Sequence, residues 1–262
     1  MAIGDKTLQF LPEDVEVIDM HTHIDTISGC NIRSTEAESV LKYMDKLNFK
    51  KSVISSIGSI SHDFKLGNDN VDKAITKYPD KLLGYVTVNP NYEDGTIKEI
   101  ERLRKNKNFI GIKIHPYHCG VSVNAECLNE VYAYAHEMHS IVLVHTWSDG
   151  DIAGLTEISK KFPEMRLIMA HSGALGGVKR CAESIKNNKN LYCDFPIASA
   201  PFGMIEYLVK NGDTSKILFG TDATLADPRI TYGRVLFADI DDSDKIKIFS
   251  ENAKRILSES NI

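Results

Sequence analysis

The chain has 262 residues, of which 42% are hydrophobic, and its 31 basic and 36 acidic side chains give a net charge of -5. This balance, without a basic stripe, argues against nucleic acid as a partner, and no apolar run approaches the ~20 residues that a membrane-spanning helix needs. The length suits one large α/β domain, and the N-terminus lacks the apolar core of a signal peptide, so we expect a soluble cytoplasmic protein.

The first predicted strand ends in a run of side chains that ligate metals. Asp19, His21 and His23 follow the apolar run that begins at Val15, and they are spaced by two. Side chains of a strand alternate between its faces with that period, so we expect the three on one side. Two neutral imidazoles on one rigid strand suit a divalent transition ion, whereas the alternative interpretation is two surface histidines in a loop.

Predicted helices and strands then alternate to the end of the chain. Apolar residues at i, i+3, i+4 and i+7 predict helices, as from Val71 to Tyr78 before Pro79, and short apolar runs predict strands. The other seven predicted strands are Ser52–Ile57, Leu82–Val88, Phe109–Ile114, Ile141–Val144, Arg166–Ala170, Leu191–Cys193 and Ile217–Gly220. The last two predicted helices lie around 230–237 and 245–257.

This alternation is typical of a parallel sheet with crossover helices on its faces. A doubly wound open sheet and a closed barrel both fit the pattern. Eight strands in a chain of this length favour an α/β fold of the (β/α)8 TIM-barrel type, with an extra C-terminal helix. No linker or shift in composition divides the chain, so we predict a single domain over residues 1–262.

Histidines recur where the predicted strands end. His115 follows the fourth strand, His145 and His171 end the fifth and sixth, and Asp222 follows the eighth. In a parallel barrel these ends converge on one face, where active sites lie. Solvated loops would carry serine, lysine and glycine in no order, so the repeated imidazoles favour a metal centre.

These residues resemble the amidohydrolase superfamily, and within it the branch of small metal-dependent hydrolases and decarboxylases called amidohydrolase 2. The resemblance covers nearly the whole chain. The motifs that carry it are Asp19-x-His21-x-His23, Gly111-Ile112-Lys113-Ile114-His115-Pro116, Val144-His145-Thr146, Ala170-His171-Ser172-Gly173, Gly220-Thr221-Asp222 and Glu251-Asn252-Ala253-Lys254-Arg255-Ile256.

The resemblance implies that His21, His23, His145 and Asp222 hold a divalent ion, most often zinc. Manganese and iron suit the same imidazole and carboxylate ligands. Asp222 would also take the proton of the attacking water. His171 would bind the substrate carbonyl or the developing oxyanion rather than the ion.

Three further side chains are predicted to contact substrate. Lys113 and His115 share a face of the fourth strand, and Trp147 follows His145 closely enough to form a pocket wall. In some members of the superfamily a lysine at the end of the fourth strand is carbamylated and bridges two metals. We favour an ordinary ammonium at Lys113, paired with a carboxylate such as Asp19 or with that of the substrate. Asp194 ends the seventh strand, where a structural hydrogen bond is a better expectation than catalysis.

The first functional hypothesis is a metal-dependent hydrolase that acts on an amide, lactone or ester carbon of a small molecule. The alternative is non-oxidative decarboxylation of an aromatic or dienoic acid, since the same ligands serve both reactions in this branch. The compact chain favours hydrolysis, because the decarboxylases have larger insertions. A barrel that binds a ligand without turnover would have lost some of these residues. We expect a small-molecule substrate as the partner and a homodimer as a candidate assembly.

Overall fold

The fold is described by a computed structural model in which residues 11–12, 14–26, 35–196 and 200–260 are placed. Within these residues, seven strands form one parallel sheet in the order of the chain, β1 to β7. They are β1 Val17–Ile24, β2 Phe49–Ser56, β3 Leu82–Thr87, β4 Phe109–Ile114, β5 Ile141–His145, β6 Arg166–Ala170 and β7 Leu191–Cys193.

Helices connect the strands and cover the outer face of the sheet. In the described residues they are α1 Ala37–Leu47, α2 Ile57–Ser61, α3 Phe64–Lys77, α4 Ile97–Leu103, α5 Pro116–Cys119, α6 Asn129–Glu137, α7 Asp149–Lys161, α8 Ala174–Asn187, α9 Met204–Asn211, α10 Pro228–Leu236, α11 Asp242–Ile246 and α12 Asn252–Ser258. A π-helical turn, Lys247–Glu251, joins α11 to α12. None of the described helices is long and apolar enough to cross a membrane.

The segment from Ile217 to Ala223 lies beside both β7 and β1 but does not form a regular strand. Ile217 makes a single parallel bridge to Cys193, and Ala223 makes one to Thr22. The backbone N–H of Leu218 also donates to the carbonyl of Cys193 at 2.8 Å. The seven-stranded parallel sheet is therefore established, and an eighth strand over Ile217–Gly220 stays a prediction.

The strands separate two apolar layers. Their outward side chains pack against the helices, as Val142 and Val144 of β5 do. Their inward side chains, such as Ile141 and Leu143, form an inner cluster that Ile256 of α12 also joins. A parallel sheet buried on both faces explains why its strands read as continuous apolar runs. At the carboxyl ends of β5 and β6, the polar residues His145 and His171 follow Leu143 and Ala170 of this cluster.

The alternation of side chains is interrupted in β1. The pairing of β1 with β2 shifts register between Asp19 and Thr22. Met20, directly before His21, lies in the inner cluster, while the Asp19 carboxylate reaches Tyr43 of α1. The expectation that Asp19 shares a face with His21 and His23 is therefore wrong, because an irregularity of this kind breaks the period of two.

Candidate metal centre

The candidate centre lies at the carboxyl ends of β1 and β6, beside the segment that follows Ile217. Among the described residues, the metal-ligating atoms of His21, His171 and Asp222 all lie within 4.8 Å of one another. Oδ1 of Asp222 also lies 3.0 Å from Nε2 of His23 and 3.6 Å from Nε2 of His21. The topology thus brings two imidazoles of the first strand against a carboxylate from near the end of the chain.

A hydrogen bond at Nδ1 orients each histidine of β1. Nδ1 of His21 lies 2.9 Å from Oδ2 of Asp194, and Nδ1 of His23 lies 2.9 Å from Oγ of Ser55. These contacts turn the Nε2 atom of each ring towards Asp222. Partners of this kind are typical of histidines that bind metals, because they fix the ring and its tautomer.

Burial keeps the imidazoles of the centre neutral near pH 7. It lowers the pKa of His21 well below the usual value, and the neighbouring charge of Lys113 adds to that effect. Burial also lowers the pKa of His171 to about 4, although the charge of Asp222 opposes the change. Neutral imidazole is the form that offers a lone pair to an ion.

Asp222 has an unusual backbone conformation and a fixed position. Its φ angle is 57°, in the left-handed region that aspartate tolerates better than most residues, and its N–H donates to the carbonyl of His21 at 2.8 Å. The preceding residue, Thr221, donates its hydroxyl to Asp19 at 2.5 Å. Burial raises the pKa of Asp222, but the hydrogen bond from His23 and nearby positive charge outweigh burial and lower that pKa. The side chain is therefore a carboxylate.

Lys113 is buried against the same cluster. Its side chain is 1% exposed, and Nζ lies 3.1 Å from Nε2 of His21. Burial lowers the pKa of Lys113 to about 8, while the charges of Asp222 and Asp194 oppose that fall. The structure thus places Lys113 against His21 rather than Asp19, whose carboxylate is engaged by Thr221 and Tyr43.

The remaining candidate residues form a stack of rings beside the cluster. The His145 ring lies 3.9 Å from that of His115 at an interplanar angle of 15°, and 5.6 Å from that of Trp147 at 7°. It also lies 4.8 Å from the His171 ring, measured between centroids. Trp147 is 57% exposed, so this stack reaches from the buried cluster to solvent.

The structure therefore brings together most of the residues that the sequence singles out. His21, His23, His171 and Asp222 form the cluster, and Lys113 contacts it. His145 does not belong to the converging group found among the described residues, which contains His171 instead. The His145 ring lies beside that of His171, with 4.8 Å between their centroids. The role of His145 as a metal ligand stays a prediction, as do the other assigned roles.

Two further side chains contact the histidines: Asp194, where the sequence predicts a structural hydrogen bond, and Ser55, which the sequence does not single out. Asp194 accepts the backbone N–H of His171 at 2.6 Å in addition to contacting His21. Ser55, on β2, contacts His23. The available signal for Asp194 is its position directly after β7, the same position that His171 has after β6.

The donor set fits a divalent ion. Two Nε2 atoms and a carboxylate oxygen converge, and borderline-hard donors of this kind suit zinc, manganese or iron. The charge of a protonated Lys113 opposes a cation at Nε2 of His21. The pKa of about 8 to which burial lowers this lysine makes its neutral form accessible near physiological pH.

Several solved structures share this fold over nearly their whole length. 2,6-Dihydroxybenzoate decarboxylase from Rhizobium has a TM-score of 0.75 at 13% identity, covering 93% of this chain and 98% of its own. A probable 2-pyrone-4,6-dicarboxylic acid hydrolase from Acinetobacter baumannii with citric acid bound has a TM-score of 0.72 at 16% identity, covering 93% and 99%. A dihydroxybenzoic acid decarboxylase from Polaromonas with bound manganese and the inhibitor 2-nitroresorcinol has a TM-score of 0.74 at 12% identity, covering 93% and 97%.

At these identities the structural likeness concerns the fold. The family itself is given by the sequence, since the model of the amidohydrolase family matches residues 18–258. That span begins just before the histidines of β1 and ends at the last residue of α12, so it includes every residue of the candidate centre. The chain therefore belongs to the amidohydrolase family, in its amidohydrolase 2 branch.

Proposed function

We propose that this protein is a metal-dependent hydrolase that attacks an amide, lactone or ester carbon of a small organic substrate. The observation that carries the proposal is the contact of Asp222 Oδ1 with Nε2 of His23 at 3.0 Å and with Nε2 of His21 at 3.6 Å. A carboxylate in this position is both a ligand and a base. We assign the ion to His21, His23 and Asp222, with His145 as the fourth ligand that the family resemblance implies.

The residues of the chain divide the work of hydrolysis. A bound divalent ion, which we infer to be zinc with manganese or iron as alternatives, supplies Lewis-acid polarisation that lowers the pKa of a water to around 7. Asp222 accepts the proton of the attacking water and passes it to the leaving group, for which its lowered pKa keeps it ionised. His171 donates a hydrogen bond to the carbonyl oxygen on which negative charge develops.

The substrate lies against the ring stack in this proposal. Trp147 and His115 present their rings on either side of His145, and Lys113 lies deeper, against His21. Flat rings of this kind bind a planar, conjugated substrate by stacking. An ammonium at Lys113 would pair with a substrate carboxylate.

Non-oxidative decarboxylation of an aromatic or dienoic acid is the second candidate. The ring stack suits such a substrate equally well, and two of the structural relatives above carry the names of decarboxylases. Chain length does not favour hydrolysis, since this chain covers 98% of one such decarboxylase and 99% of the probable hydrolase. Decarboxylation requires a proton donor to carbon, and Lys113 with its pKa of about 8 is a suitable group.

The two reactions are separated by their products. We would incubate the metal-loaded protein with a panel of lactones, esters and amides and with a panel of hydroxybenzoates. Hydrolysis in the first panel supports the proposal, and carbon dioxide release in the second without hydrolysis in the first overturns it. Metal analysis of His145→Ala tests the fourth ligand, because a stoichiometry equal to that of the wild type removes His145 from the set.

We also infer that the segment from Ile217 to Ala223 closes the sheet into a barrel as its eighth strand. Support comes from its backbone contacts on both sides. Leu218 donates to the carbonyl of Cys193 at 2.8 Å, and Met20 donates to the carbonyl of Phe219 at 2.9 Å. Closure of this kind would hold Asp222 beside β1.

A further inference from the structure

We propose that Asp194 is a positioning residue that fixes the proton of His21 on Nδ1 and thereby reserves Nε2 for the metal ion. This inference rests on the proposed function, which assigns His21 as a ligand. It adds a residue that contacts neither the ion nor the substrate and acts through the histidine.

The geometry of Asp194 gives each of its carboxylate oxygens a separate donor. Oδ2 lies 2.9 Å from Nδ1 of His21, and Oδ1 accepts the backbone N–H of His171 at 2.6 Å. The side chains of Asp194 and His21 are both inaccessible to solvent, so water does not replace either partner. Because each oxygen of the buried Asp194 carboxylate has its own donor, the carboxylate is held in one orientation.

The surrounding backbone leaves room for this contact. A Cβ atom added at Gly220 would lie 2.8 Å from Cβ of His21 and 3.3 Å from Oδ2 of Asp194. Real Cβ atoms essentially never come as close as the first of these distances, so the absence of a side chain at Gly220 is what lets His21 lie in its observed place beside Asp194. The segment that carries Asp222 is thereby packed directly onto the Asp194–His21 pair.

Asp194 also fixes the turn that carries His171. The carbonyl of Asp194 accepts the hydroxyl of Ser172, and both His171 and Ser172 have positive φ angles, 67° and 52°. Non-glycine residues rarely adopt this conformation without such support. Asp194 therefore contacts both His21, a proposed metal ligand, and the turn that carries His171, the proposed carbonyl-binding group.

The chemistry of the contact requires a carboxylate and not merely a polar group of the same shape. When Nε2 of His21 binds an ion, Nδ1 carries a proton and needs an acceptor. The N–H of His171 needs an acceptor as well, and a carboxylate serves both. An asparagine amide has one oxygen, so its NH₂ group must face one of the two donors.

The test is Asp194→Asn, with two readouts that do not depend on activity. The first is the tautomer of His21 in the metal-free protein at pH 9, from ¹⁵N chemical shifts assigned by the peaks missing in His21→Gln. We expect the proton on Nδ1 in the wild type and on Nε2 in Asp194→Asn. The second is the affinity for Zn²⁺ alone by competition with a chelator, which we expect to fall 10- to 100-fold, as is usual when the partner of a ligand is removed.

Asp19→Asn is the matched control, because Asp19 is equally buried but touches His21 only through the backbone N–H, at 3.1 Å. We expect the tautomer of His21 to be unchanged in this variant. Circular dichroism verifies folding, and a proton on Nε2 in the wild type overturns the inference even if Asp194→Asn does not fold.

A folded Asp194→Asn protein with wild-type tautomer and wild-type affinity also overturns the inference and reduces Asp194 to a structural role. Failure of the proposed function looks different. A wild type that binds no divalent ion contradicts the metal site, while the tautomer still decides the role of Asp194.

Discussion

At the scale of single residues, the candidate centre depends on a few side chains whose environments differ although they lie close together. Asp222 is a carboxylate with 20% of its side chain exposed, whereas Asp194 and His21 are fully buried. In the metal-free protein burial raises the pKa of Asp194 to about 8, against the influence of the His171 N–H and of Lys113. The carboxylate that accepts the Nδ1 proton of His21 therefore predominates above that pH. Exposure therefore suits Asp222 to exchange protons with substrate and water, and burial suits Asp194 to hold its partners.

Asp222→Asn tests the proposed base. The amide keeps the shape of the side chain but does not accept a proton, so we expect kcat to fall by about 10²- to 10⁴-fold, the usual contribution of general acid–base catalysis. The measurement is kcat on a substrate found in the hydrolase panel, at saturating metal. Asp239→Asn, on an exposed aspartate, is the control and should retain wild-type kcat. A kcat of Asp222→Asn within about threefold of the wild type would contradict the assigned role.

Trp147→Ala tests the ring stack. The indole lies parallel to His145, and loss of one stacking surface costs about 0.5–1.5 kcal/mol, or roughly a 2- to 10-fold rise in KM for a planar substrate. We expect kcat to change less than KM, because Trp147 does not touch the reacting atoms. Tyr92→Ala removes another half-exposed aromatic, packed on Phe64 outside the centre, and should leave KM unchanged. Equal KM values in wild type and Trp147→Ala would exclude the stack from substrate binding.

At the scale of elements, the regular strands and the irregular segments have different roles in positioning the candidate centre. Lys113 lies on β4 and His145 ends β5. The turns that carry His171 and Asp194 follow β6 and β7. The register shift in β1 and the left-handed turn at Asp222 then move side chains to places that a strict period of two would not reach. Such irregularities near a candidate active site are consistent with their usual role in redirecting side chains.

Gly220→Ala tests this division. Its Cβ would lie 2.8 Å from Cβ of His21, so we expect the free energy of unfolding to fall by about 1–3 kcal/mol, the usual cost of overpacking. Gly176→Ala is the matched control, because nothing lies within 4 Å of an added Cβ at this position of α8, and alanine there should be neutral or stabilising by up to about 1 kcal/mol. The measurement is urea unfolding of both proteins. A Gly220→Ala protein as stable as the wild type would show that His21 and Asp194 can shift to accommodate the added Cβ.

The sequence alone predicts the regular elements well. The apolar runs give β4, β6 and β7 with the observed bounds, since a buried parallel strand has few polar interruptions. β2 begins earlier than predicted, at Phe49, because Lys50 and Lys51 interrupt its apolar run. The predicted strand Ile217–Gly220 makes only single bridges, which local composition does not reveal.

The candidate site is predicted less completely than the fold. Its strand-end histidines are visible in the sequence, but the contact of His21 with Asp194 joins residues 173 positions apart. Neither periodicity nor a motif links such a pair. The same holds for Asp19, whose side chain is displaced by a register shift that depends on the neighbouring strand.

At the scale of the whole molecule, the fold buries several histidines in their neutral form near the carboxyl ends of its strands. His21, His23 and His171 are each at most 3% exposed, and this burial lowers their pKa values. The stability of the metal-free protein therefore depends on pH. For a histidine with a lowered pKa, the unfolded chain takes up a proton near pH 6.5 that the folded chain takes up only at lower pH.

We predict that the metal-free protein loses stability as the pH falls below 6.5. His171, with a folded pKa of about 4, contributes a loss of up to about 1.4 kcal/mol per pH unit between 6.5 and 4. Asp19 and Asp194 oppose this loss, because burial raises their pKa values to about 6 and about 8 and the folded protein then binds each proton first. The loss still dominates below pH 6.5, because burial lowers the pKa values of four more histidines, namely His21, His23, His115 and His145. The measurement is urea unfolding at several pH values between 8 and 4.5.

Two histidines with positive φ angles provide the comparison, since asparagine tolerates that conformation at both. His171→Asn should reduce the dependence on pH, whereas His139→Asn, at an exposed histidine, should not. Stability that stays constant or rises between pH 6.5 and 5 would show that these histidines are not held neutral.

The most direct test of the proposed metal centre is the metal content of the protein after reconstitution and gel filtration, compared between the wild type and His23→Asn. His23 is chosen because its Nε2 atom makes the shortest contact with the Asp222 carboxylate, 3.0 Å. We predict roughly one tightly bound divalent ion per chain in the wild type and a loss of most of it in the variant. An equal metal content in two folded proteins, or none in the wild type, would contradict a metal centre built on His21, His23 and Asp222.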